Sequence, residues 1–457
     1  MDSGLHKSEG SSRGIECISE SLSLHEKPYQ ETAIDKTYWS VFTPQNALSD
    51  TGNSITFSIP QCEDNLDLNE SYYKLSVKVT KNDGKELDNF TAPDNSGHGN
   101  SVGPINLAGS SFFSNIHIRL GEELISDSYG TYAFLSFFQV IFNYTKAARD
   151  SLLSLAGYCE EKTFAKNADS TASSSSFKTL ATATSNSKIV TYVAPIFHGL
   201  FNQSRYIPAL TSLQIEFQKS PAAFALTSNA SAPEFKYQIV ALEVFIKKVA
   251  LRASVKLRQE QQLLKSPAQY NFRSAGVKPF FIPKGAKSAS FENIFPGNVI
   301  PNLAIVAFLP QSKYRGDYSS PFEFKDHGLT SLRITANGEV FPSPGGYNPD
   351  YATDSKKPDW THPYLSLYFN QLKLNQERIC NYSEFKNGFV MYTFDFGTES
   401  PLAHDHIVMK KIASGARMDI TFASNSSNDA LVALLYTESQ ACLEIDGNRR
   451  ISRDYYL

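Results

Sequence analysis

The residues of this chain that could do chemistry are few, and their spacing supports little of it. His404, Asp405 and His406 stand in a row. On a strand, two imidazoles at i and i+2 share a face and could hold a metal ion. Nothing nearby supplies a third ligand, so the triplet reads as a solvated loop ahead of a strand. Glu63, Asp64, Asp67 and Glu70 have the composition of a calcium loop but not its spacing, and read as a charged turn. No glycine-rich phosphate loop, no GxSxG and no HExxH occurs. No constellation picks out a carboxylate pair for glycoside hydrolysis. The sequence therefore gives no ground for an enzyme, and predicts no catalytic residue, cofactor or metal.

Cys17, Cys62, Cys159, Cys380 and Cys442 are odd in number, far apart and form no CxxC. That fits reduced thiols in a protein made in the cytosol. The opening residues carry no apolar run, so no signal peptide is expected. The most apolar stretch, Tyr132–Tyr144, is too short to span a bilayer, and no membrane contact is expected. The formal net charge is −3 and the pI is near 6.3, which gives no reason to expect tight nucleic-acid binding. The first 36 residues are acidic. Only two places lean positive. One is Lys247, Lys248, Arg252, Lys256 and Arg258, with Lys265 beyond; the other is Arg449, Arg450 and Arg453. These are the candidates for weak contacts with nucleic acid. Solvated faces, or pairing with carboxylates of a neighbouring subunit, are the competing reading. Charged residues are only 19% and aromatics 12%. Such a balance suits a chain that hides surface against neighbours, and it suits an ordinary all-β protein equally.

The elements that would position these residues are repeated. A hairpin, IHIRL-GEELIS (Ile116–Ser126), is followed by the aromatic segment YGTYAFLSFFQVIFNY from Tyr129. Roughly 200 residues later a second hairpin, LRITANGEVFPS (Leu332–Ser343), is followed by HPYLSLYFNQLKLNQ from His362. Strand-like runs Ser212–Lys219 and Phe235–Val249 have counterparts in Arg417–Ser424 and Asp429–Ser439. A chain of 457 residues holds two or three domains, and this offset fits a duplicated β-domain. Phe134, Phe137, Phe138, Ile141 and Phe142 fall at i, i+3, i+4, i+7 and i+8, one helical face that must be buried against an adjoining barrel. Arg252–Ser266 reads as a linker helix, capped by Ser254 and stopped by Pro267. Lys166–Lys188 is a Ser/Thr/Ala tract that reads as a mobile surface loop unable to build core.

Val102–Ser126 (VGPINLAGSSFFSNIHIRLGEELIS), the aromatic segment after it, Asn293–Pro342 and the C-terminal ALVALLYTESQACLEIDGNRRISRDYY resemble the major capsid protein of Polinton (Maverick) and adintovirus-like elements. The resemblance runs from about Tyr38 to the C-terminus. It implies an all-β double jelly roll with short amphipathic helices after a hairpin in each barrel. The expected organisation is a flexible arm over 1–37, jelly roll 1 over 38–250, a helical linker over 251–266, and jelly roll 2 with a C-terminal tail over 267–457. It further implies a homotrimeric, pseudo-hexagonal capsomer in an icosahedral shell around double-stranded DNA, and localisation to the virion. A penton protein of single jelly-roll type and internal minor capsid proteins would be its partners. The basic residues named above would be its inner-face contacts. Two other readings remain: a double β-sandwich that binds or cleaves carbohydrate, and a capsid-derived protein domesticated by a host.

Overall fold

The computed structural model describes residues 32–49, 52–88, 102–126, 129–161, 176–230, 233–295, 299–352, 356–369, 380–397, 410–411, 415–423 and 429–454. Eight strands build a first pair of sheets: β1 (Ile34–Phe42), β2 (Ser54–Ile59), β3 (Asn65–Lys81), β4 (Phe113–Leu120), β5 (Glu123–Leu124), β6 (Val190–Pro195), β7 (Leu213–Lys219) and β8 (Phe235–Leu251). Eight more build a second pair: β9 (Ala268–Ile282), β10 (Ser288–Glu292), β11 (Leu303–Pro310), β12 (Leu329–Ala336), β13 (Glu339–Phe341), β14 (Met391–Asp395), β15 (Ala416–Phe422) and β16 (Leu431–Ile445). A tail strand, β17 (Ile451–Asp454), pairs with β16.

The sheets of the first half run β1-β8-β3-β6 and β2-β7-β4-β5; those of the second run β9-β16-β11-β14 and β10-β15-β12-β13. Adding eight to each strand number converts one half into the other. Every pairing within these four sheets is antiparallel. This is the jelly-roll order, and it occurs twice. Each barrel closes on residues that alternate inward, such as Leu75, Val77 and Val79 on β3 and Met418, Ile420 and Phe422 on β15. The two repeated hairpins make the β4–β5 and β12–β13 turns. Gly121 takes φ 59° in the first; Asn337 and Gly338 take φ 52° and 82° in the second, the left-handed pair that a two-residue hairpin requires.

Among the described residues, the helices of nine residues or more are α1 (Tyr132–Asn143), α2 (Ser176–Thr184), α3 (Ala253–Leu263) and α4 (Thr361–Phe369). α1 and α4 follow the two hairpins. α3 links the barrels; its cap is Arg252, extended at φ −60° and ψ 144° and giving no side-chain hydrogen bond, so the capping expected of Ser254 does not occur. The Ser/Thr/Ala tract departs further from expectation. Its first ten residues lie outside the described ones, but α2 is a helix that buries Phe177, Leu180, Ala181 and Thr184. It packs so closely on Val102–Pro104 that a Cβ on Gly103 would meet the Ala181 nitrogen at 2.7 Å.

The largest departure from two independent barrels lies between them. Although α1 belongs to the first half in sequence, Phe134, Phe137, Phe138, Ile141 and Phe142 join the core of the second. Phe137 stacks on Phe322 at 4.2 Å and Phe138 on Phe324 at 5.6 Å. In return, Tyr270, Phe272, Ala441, Leu443 and Ile445, from the β9 and β16 ends next to the linker, complete the core of the first barrel. Burying five such α1 side chains contributes roughly 2 kcal/mol each, enough to hold the two barrels together.

Candidate functional site

The cations singled out in the sequence gather around α3 and the tail, and most are already engaged. β8 places Lys247 directly opposite Asp67 of β3, across a register shift in β8. Its Nζ lies 2.6 Å from Glu70 Oε2 and 3.5 Å from Asp67 Oδ2, and 5.6 Å from the centre of the Trp39 ring. The hydrogen bond to Glu70 raises the pKa of Lys247 above its ordinary value. Lys248 sits 5.5 Å over the Phe42 ring, and Lys256 pairs with Glu63 at 3.2 Å. Arg449 Nη2 donates to both carboxylate oxygens of Glu260, at 2.6 and 2.7 Å, and its Nε donates to the Ala209 carbonyl at 2.7 Å. Arg453 is half-buried beside His198. Arg252, Arg258 and Arg450 are exposed. The pairing carboxylates belong to the same chain, whereas the competing reading had solvated faces or carboxylates of a neighbouring subunit.

The acidic run divides in two. Glu63 and Asp64 lie in the turn, where Asp64 accepts from the Tyr38 hydroxyl at 2.7 Å and pushes its pKa up to about 12. Asp67 and Glu70 are strand residues of β3, contrary to the charged-turn reading. His404-Asp405-His406 lies outside the described residues. Among the described residues, no three His, Cys, Asp or Glu side chains are grouped to hold a metal ion. No described helix is long and apolar enough to cross a membrane. Burial raises the Cys159 thiol to about 11 and the Cys380 thiol to about 12, so neither is a ready nucleophile at neutral pH.

Among the described residues, the carboxyl pushed far up and one of the two perturbed imidazoles belong to the seam. Glu161 lines a small cleft with Arg149, Tyr158 and Phe137 of the first half and Phe389 of the second. Burial pushes its carboxyl up to about 7, and Ser176 donates a hydrogen bond to it. His198 packs 5.9 Å from Phe272, and its Nδ1 accepts from the Leu200 amide at 3.2 Å. Burial first, and Arg453 second, hold it down at about 4. Next to it, Gly199 approaches β9 so closely that a Cβ would sit 1.9 Å from the Arg273 carbonyl oxygen. From the other side Gly316, at φ 104°, would place a Cβ 2.6 Å from the Phe224 nitrogen. Nothing in the composition flags these four residues. The signal for the seam was the apolar face of α1; the destination of that face was not written in it. The Glu161 and His198 shifts both have burial at the seam as their leading cause.

No family model matches the chain. An uncharacterized protein of Caenorhabditis elegans is 20% identical over 429 residues, covering 92% of this chain and 97% of that protein. A chain of the Sputnik virophage structure superposes with a TM-score of 0.64 at 11% identity, over 97% of this chain and 93% of that one. The Faustovirus major capsid protein gives 0.54 at 9% identity, over 92% of each chain. The mavirus major capsid protein gives 0.52 at 10% identity, over 98% of this chain and 97% of that one. With the strand order repeated in both halves, this likeness over nearly the whole length establishes the fold: the chain is a double jelly roll of the kind found in viral major capsid proteins.

Proposed function

We propose that this chain is the structural major capsid protein of a Polinton (Maverick) or adintovirus-like element, with no catalytic role. The observation that carries the reading is the duplicated barrel joined through α1. One chain is then a firm two-barrel unit, and a three-fold axis turns three chains into six similar positions. Such a capsomer tiles a hexagonal lattice from one gene product. A shell around double-stranded DNA then needs a separate penton protein at its vertices, and internal minor capsid proteins are further expected partners. The likeness to the Faustovirus and mavirus major capsid proteins supports this reading.

An obligate trimer needs interfaces on the order of 2,000 Å² or more. Light scattering on the purified protein should therefore give a mass about three times 50.7 kDa, and electron microscopy should show six-lobed rings or shells. A folded monomer persisting across the micromolar range overturns the proposal. In this reading the cations around α3 and the tail make at most weak inward contacts with DNA. With Arg252, Arg258, Lys265 and Arg450 as the exposed ones, log K should fall with log salt at a slope no steeper than about −4 per chain.

The nematode relative favours a second reading, a capsid-derived protein kept by an animal host. Trimers from cells that express the gene, without any shell, would select it.

A further inference from the structure

The linker helix α3 leaves an apolar ridge uncovered. Leu257 and Leu264, one on the helix and one at its C-cap, are 61% and 74% exposed and lie seven residues apart, on one face. Arg258 and Lys265 follow each of them by one residue, so two exposed cations border the ridge. Neither cation, nor Arg252 at the start of the helix, has an ion pair among the described residues. Two leucines held in water beside a cationic stripe are the footprint of something amphipathic and acidic.

The chain supplies such a segment, and the topology delivers it to this place. Because β1 is antiparallel to β8, Ile34 pairs with Leu251 and the Arg252 amide donates to the Ala33 carbonyl at 3.0 Å. The segment preceding β1 therefore meets the fold where α3 begins, at the same end of the same sheet. That segment, residues 1–31, carries six acidic residues against Lys7, Arg13 and Lys27. Ile15, Ile18, Leu22 and Leu24 fall within ten residues, interleaved with Glu16 and Glu20 and followed by Glu26. About ten extended residues reach roughly 33 Å, twice the roughly 16 Å length of α3, so the linkage from Leu22 to Ala33 can lie along the whole helix. Attachment to the same chain gives an effective concentration on the order of millimolar, which favours a weak contact within one chain over the same contact between chains.

We propose that residues 15–26 of the N-terminal arm dock on α3 of their own chain, the apolar side chains covering Leu257 and Leu264 and the glutamates facing Arg258 and Lys265. This contact does not depend on the capsid reading; an arm so held is stowed on the linker between the barrels.

Cys17, inside the docking segment, allows a direct test in the full-length protein. Cys62 and Cys159 are first replaced by Ser. A second thiol is then introduced by Gln261→Cys, on the ridge between the two leucines. In a parallel chain it is introduced by Lys284→Cys instead, at an exposed position beyond the far end of β9. Under mild diamide oxidation, Cys17 should form an intrachain disulfide in the Gln261→Cys protein about tenfold faster than in the Lys284→Cys protein. Ile18→Asp with Leu22→Asp should abolish that advantage, and so should Leu257→Asp with Leu264→Asp. Hydrogen exchange gives a second readout: amides of α3 should lose protection in the Ile18→Asp, Leu22→Asp protein while β3 and β16 keep theirs. Equal rates in the two proteins overturn the proposal, as do products linked between chains or unchanged exchange of α3.

Discussion

Arg449 shows how much one side chain can do at the linker. Its backbone is left-handed, at φ 62°, and its guanidinium ties the tail turn to α3 through Glu260 and to the first barrel through Ala209. Its side chain is only 11% exposed, so removing it leaves a carboxylate and a carbonyl short of partners. Arg449→Ala should cost about 2 kcal/mol, read as a lower urea midpoint with an unchanged slope. Glu161 gives a pH test. Its folded pKa of about 7 lies above the unfolded value, so the folded state prefers the protonated acid. Its contribution is therefore full below about pH 4.3 and is lost as pH rises through 7. Glu161→Gln should stabilise the protein by on the order of 3 kcal/mol at pH 8 and by almost nothing at pH 4, in paired denaturation curves. An equal offset at both pH values would rule out titration as the cause. His198, held at about 4, has the opposite sign: its stability is present above about pH 6.5 and is lost as pH falls toward 4. The sequence exposed the cations but not their partners. Lys247 meets Asp67 only because of the β3–β8 register, with its shift between Phe245 and Lys247, and no local pattern encodes that register.

Among the elements, those with large apolar residues at a clear period were legible. The α1 face was read residue by residue, and the two hairpins were read from their repeated strand–turn–strand pattern. The helix α2 was not, although its buried residues also recur at i, i+3, i+4 and i+7. Two of those four are Ala and Thr, too small and too polar to stand out from a tract of their own kind. Composition argued for a loop, and tertiary contact with Val102–Pro104 overrode it. Leu180, buried under that contact, is the sharpest check. Leu180→Ala should cost about 2–3 kcal/mol in equilibrium unfolding, whereas a true surface loop would tolerate it within about 0.5 kcal/mol.

At the scale of the whole molecule, the repeat in the sequence revealed two similar barrels but not that each core borrows from the other. That exchange depends on backbones meeting closely, which leaves no periodic trace. Gly199 is where it is tightest, and Gly199→Ala should separate the backbones at β9 at a cost of about 3 kcal/mol. Limited proteolysis should then cut near the linker faster than in the parent protein, with each barrel initially intact; parental cleavage kinetics would show that the seam absorbs the methyl group. The borrowed helix also sets a clock for synthesis. The ribosome completes α1 long before it reaches Phe322, Phe324 and Tyr436, the rings against which α1 packs. At roughly 5–20 residues per second, those aromatic faces wait on the order of tens of seconds for their partners. The nascent first barrel is thus sticky by construction, and every chain passes through an interval when a chaperone, or the equivalent helix of another nascent chain, competes for a surface that the finished protein hides.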